Sequence, residues 1–219
     1  MNNYPKGSEW GKWDLHIHTP ASILYNEFDE DWDKYVTELF KTAIKENIVA
    51  IGITDYYFID GYKKIQNGYL SNNAKLEELF DEDEILKIKN IFVFPNIEFR
   101  INKLIIGKEN DLKWNRKVNY HVLFSNEISP DDIEENFINR LQFENEGAGD
   151  GSSQKMSLTK RNLTQLGERL IRQQPEFKSH DPLKVGVLCA SVDDTEIVDL
   201  LGAQSSKFKG KLPTSNVFV

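Results

Sequence analysis

Ile48-Val49-Ala50-Ile51-Gly52-Ile53 runs six residues without a polar side chain and then turns to Thr54-Asp55. An unbroken apolar run of this length, rich in β-branched residues, suits a strand covered on both faces. Helices that can do the covering stand on either side. Upstream, Trp32, Tyr35, Val36, Leu39, Phe40, Ala43 and Ile44 recur at helical spacing. Downstream, a second helix is expected within residues 74–89, with Leu76, Leu79 and Phe80 facing inward. Further strands are expected at 13–18, 91–97, 118–124 and 184–190. This alternation implies an α/β fold with a largely parallel sheet, either open or closed into a barrel.

A third helix should begin at Ser129-Pro130-Asp131-Asp132. There Ser129 serves as N-cap, proline suits the first turn and the acids complement the helix dipole. Its apolar face is Ile133, Phe137, Ile138 and Leu141. Residues 144–157, rich in glycine and serine, read as a flexible loop. A helix follows at 160–174, and Asp193 is placed to cap a last one over 196–201. The end, KFKGKLPTSNVFV, is apolar and strand-like, as in the N-terminal part of something longer. One domain spans the 219 residues on this reading.

With 39% hydrophobic and 11% aromatic residues the chain can bury a real core. No apolar run approaches the roughly 20 residues of a membrane span, and the N-terminus lacks a secretory leader, so a cytoplasmic protein is expected. Cys189 stands alone, which excludes a disulfide framework and a cysteine zinc cluster. A net charge of −8 argues against nucleic-acid binding by charge alone. It leaves a phosphodiester substrate open, because bound metal ions reverse the local field.

Trp13-Asp14-Leu15-His16-Ile17-His18-Thr19-Pro20 carries the strongest chemical signal. Side chains two apart on a strand share a face, with backbones about 7 Å apart, so both imidazoles can converge on one metal. Thr19-Pro20 ends the strand, and strand C-termini are where α/β folds build sites. Two half-buried histidines that only hydrogen-bond are the ordinary alternative. Three of the four histidines lie on expected core strands, His121 among them, whereas His180 sits in a polar loop. Asp55 and Glu98 each end an apolar strand, where an acid needs a partner or a metal. Asp55 can instead cap a turn, and Glu98 can pair with Arg100 on its own strand face.

His16-Ile17-His18, Thr54-Asp55, Pro95-Asn96-Ile97-Glu98 and Asn119-Tyr120-His121 together resemble, in order and spacing, the motifs of the PHP (polymerase and histidinol phosphatase) superfamily. The stretches 12–22 and 53–62 are similar to its TrlF-like branch, where the PHP domain precedes an SMC- or AAA-type ATPase linked to DNA repair or phage defence. The resemblance, over residues 9–175, implies a distorted β/α barrel with one to three manganese, zinc or iron ions. It implies His16, His18, Glu98 and His121 as ligands, Glu98 bridging two ions, and Asp55 as a ligand or ligand-orienting acid. The implied reaction is metal-assisted phosphoester hydrolysis, on nucleic acid in a repair or defence setting, with Arg100 as phosphate clamp. Two departures stand out. Tyr56 replaces the histidine that usually follows Thr-Asp, and no late Asp-x-His motif is present. A degenerate module that regulates an ATPase is the rival reading, and a metal-dependent amidohydrolase a more distant one.

Overall fold

Three parallel strands anchor the computed structural model, which describes residues 10–24, 27–28, 30–105, 116–146, 153–203, 208 and 214–216. They are β1 (Lys12–Ile17), β2 (Ile48–Tyr56) and β3 (Phe92–Ile105). β4 (Arg116–Leu123) runs antiparallel beside β3, and the short β7 (Thr214–Asn216) antiparallel beside β4, giving the order β1-β2-β3-β4-β7. The four longer strands curl into a half-barrel. The fold is therefore mixed α/β, and the expected parallel sheet holds for its first three strands. No helix intervenes between β3 and β4 among the described residues, so the chain reverses direction there.

α1 (Trp32–Lys45) connects β1 to β2, capped by the Asp31 side chain, and buries Val36 and Phe40 completely. The single helix expected over 74–89 is two: α3 (Asn73–Leu79) and α4 (Glu82–Ile88). Phe80 turns extended and buries its ring, and Asp81 starts a new helix through a reciprocal capping box with Glu84. α5 (Pro130–Asn136) begins after its N-cap Ser129 as read but ends sooner than expected; Ile133 is its buried residue, and Phe137, Ile138 and Leu141 are buried in the turn that follows.

Two expectations fail. Residues 184–190 form no strand: 184–189 lie in α7 (Pro182–Cys189) and Ala190 is its C-cap, with Asp181 as N-cap and Pro182 in the first turn. A short apolar run does not distinguish a strand from a buried helix, and here the cap decides. Most of the loop expected at 144–157 is a hairpin, β5 (Gln142–Glu146) against β6 (Ser153–Ser157), whose Phe143 is buried opposite Met156. Residues 147–152 of that loop, and 207, 209–213 and 217–219 of the strand-like end, lie outside the described residues. α6 (Lys160–Gln173) packs on α7, and α8 (Asp194–Gly202) follows its N-cap Asp193.

Candidate metal centre

Three strands deliver the ligand types. His16 lies near the end of β1 and His18 just past it, Glu98 stands on β3, and His121 faces Glu98 in the β3–β4 register. β1 is bulged here: Asp14 pairs with Ile51 but Ile17 with Ile53, three residues against two. Bulges re-aim side chains beside functional sites. The imidazoles of His16 and His18 indeed meet, Nε2 to Nε2 at 3.2 Å.

Glu98 Oε2 completes a triangle with them, 3.2 Å from His16 Nε2 and 3.5 Å from His18 Nε2. His16, Glu98 and His121 each offer a ligand atom within 4.8 Å of the others, and this group can hold a metal ion. Ligands at roughly 2.0–2.1 Å in a tetrahedral arrangement stand about 3.3 Å from each other, so these edges fit a single divalent ion. Glu98 is fully buried, and its Oε2 has no well-aligned hydrogen bond, meeting only the His16 and His18 imidazoles. A buried carboxylate oxygen left this way is costly unless a cation meets it.

Supporting groups hold the ligands in place. His18 Nδ1 lies 2.9 Å from the Thr54 carbonyl oxygen, which can only accept, so the proton sits on Nδ1 and Nε2 presents its lone pair inward. The Asn119 amide donates to Glu98 Oε1. Asn96 Nδ2 donates to Leu15 O at 2.7 Å and Thr54 Oγ1 at 2.9 Å, and lies 3.2 Å from His121 Nδ1. Tyr56 stacks on His18 with ring centroids 5.2 Å apart, and its hydroxyl engages Glu98 and Arg100. The Arg100 guanidinium lies over the Tyr56 ring at 5.7 Å, and Arg100 Nε is buried without a partner.

The charges follow from this packing. The hydrogen bond and charge of Glu98 outweigh burial and raise the pKa of His16. Burial lowers His18, and pushes His121 down to about 4. Burial also pushes Glu98 upward, but the hydrogen bond from His16 and the three imidazoles bring it below the usual carboxylate range. Neutral His18 and His121 facing an ionised Glu98 are the states a metal ion requires, and a bound ion would displace the proton that Glu98 favours on His16.

The structure gathers His16, His18, Glu98 and His121, with Arg100 at the margin. It does not bring Asp55 into the cluster. Both Asp55 oxygens accept from the Thr19 hydroxyl, at 3.0 and 3.2 Å, and Oδ2 also accepts from Gly61 N–H at 2.9 Å. Asp55 thus ties the end of β1 to the start of α2 (Asp60–Ile65). Glu98 faces the histidines rather than forming an ion pair with Arg100. His180 is exposed, beside Phe177. Sequence reasoning missed Asn96, Asn119 and the carbonyl of Thr54. A signal existed: 96, 98 and 100 on one strand and 119 and 121 on its neighbour are polar at period two, marking one polar face inside an apolar sheet.

A cleft of about 350 Å³ opens on the cluster, lined by Trp13, Asp14, Leu15, His16, Asn96 and His121. A larger cavity of about 470 Å³ lies between α1 and β1–β2, yet it has an apolar wall and includes none of the histidines. Converging donors, not size, identify the site. No helix among the described residues is long and apolar enough to cross a membrane. Compared with protein-family models, curated proteins and solved structures, the chain matches none of them.

Proposed function

We propose that this chain is a metal-dependent phosphoesterase of the PHP type, a phosphodiesterase acting on nucleic acid in DNA repair or phage defence beside an SMC- or AAA-type ATPase. The observation that carries the chemistry is the buried Glu98 Oε2, without a well-aligned hydrogen bond and ringed by His16, His18 and His121. The half-barrel and the motif order His-x-His, Thr-Asp, Glu, His support the PHP assignment. The nitrogen and oxygen donors suit manganese, zinc or iron.

When bound, a divalent ion supplies Lewis acidity toward a phosphoryl oxygen and makes water nucleophilic near neutral pH. The chain's own groups do the rest. Thr54 O and Asn119 hold His18 and Glu98 in their ligand orientations. Arg100, with an unpaired N–H, meets an anionic phosphoryl oxygen.

The test is elemental analysis of wild type and His16→Ala, with hydrolysis of bis(p-nitrophenyl) phosphate on the same samples. About one or more ions per chain, lost together with hydrolysis in the variant, is the expected result. Near-zero metal in both, with no hydrolysis after added manganese, would sink the enzyme and leave the regulatory module.

A further inference from the structure

The inference rests on the metal-dependent reading and sharpens it. We infer that the centre takes one ion, and that Arg100 supplies to the phosphoryl group the positive charge a second ion would bring. A carboxylate ordinarily bridges two ions by giving one oxygen to each. Glu98 Oε1 already accepts from the Asn119 amide, so Oε2 is the oxygen left open to a metal. The edges of 3.2, 3.2 and 3.5 Å around it belong to one coordination sphere. Paired ions stand about 3.5–4 Å apart and need ligands divided between them.

His121 shares the focus of His16 and Glu98, and the other groups that would hold a second ion are spoken for. Asp55 gives both oxygens to Thr19 and Gly61. His18 spends Nδ1 on Thr54 O, and its Nε2 points at the same focus as that of His16. Tyr56 occupies the next place on β2, stacked on His18 with its hydroxyl toward Glu98. Arg100 lies two residues past Glu98 on the same strand face, about 7 Å along. Its Nε is unpartnered, and no carboxylate pairs with it among the described residues. Phosphoryl charge can thus be shared between the ion and a fixed guanidinium.

The test uses manganese-loaded protein. One manganese per chain with the six-line electron paramagnetic resonance spectrum of an isolated ion is expected. Two exchange-coupled ions would overturn the inference and leave the metal-dependent reading standing. No bound metal would overturn both. On the same samples, calorimetric titration with inorganic phosphate reads Arg100. Arg100→Ala and Arg100→Gln should keep their manganese and weaken phosphate binding roughly 10- to 100-fold, the loss of a charge-assisted contact. Unchanged phosphate affinity, or variants that no longer hold manganese, would overturn the role given to Arg100.

Discussion

Burial acts on two residues near the centre with opposite consequences for pH. It raises Asp55 from 3.8 to about 6, against the opposing hydrogen bonds of Thr19 and Gly61. The folded chain therefore holds that proton more tightly than the unfolded chain. Stability present below about pH 4 is lost as pH rises to about 6. His121 goes the other way, from 6.5 to about 4, so stability present above 6.5 is lost as pH falls toward 4. Each effect amounts to roughly 2–3 kcal/mol, and they oppose one another across the same window. In metal-free protein His121→Asn should leave stability that declines from pH 4 to 6. Asp55→Asn should leave stability that declines from 6.5 to 4. Urea midpoints across this range decide the matter, and identical pH profiles in all three proteins would refute both assignments.

Among the elements, the four strands of the half-barrel were the legible ones, β2 and the first half of β3 as apolar runs and β1 and β4 by the histidines they carry. α7 was not legible that way. Its apolar run has no period, and what makes it a helix is the Asp181-Pro182 start together with its close fit on α6. A Cβ on Gly186 would lie 1.9 Å from Leu163 O, and one on Gly167 1.7 Å from Pro182 O. Only glycine lets these two backbones approach so closely. Gly186→Ala should thus destabilise the chain by about 1–3 kcal/mol, while Leu188→Ala, at a 42% exposed position, should change stability by less than about 1 kcal/mol. Equal midpoints for the two would show that the helix pair yields easily. The break between α3 and α4 has its own marker. Replacing Asp81 with alanine removes the capping box and should cost about 1 kcal/mol, read from the same denaturation curves.

At the scale of the whole molecule, His16 and His121 stand far apart in sequence, and the strand order sets them on one face. The ligand residues could be read in advance as polar groups set in apolar strands, although Glu98 lies inside β3, which runs on to Ile105, rather than at a strand end as expected. Of their supports, Asn96 and Asn119 left only the period-two polar face as a signal, and Thr54 left none because it acts through its carbonyl. An ion held by His16, Glu98 and His121 would tie β1, β3 and β4 together, so its binding energy would appear as stability of the sheet. At a manganese concentration 100 times Kd the gain is about 2.7 kcal/mol. For a chain of this size that raises Tm by roughly 5–10 °C. EDTA should reverse the shift, and His16→Ala should remove it. The metal-free variant should melt near the metal-free wild type, because the His16 side chain is 51% exposed and little packing is lost. Differential scanning fluorimetry reads all of this. A wild-type Tm indifferent to both manganese and EDTA would mean that the apolar core alone holds the half-barrel and that no ion binds at this triangle.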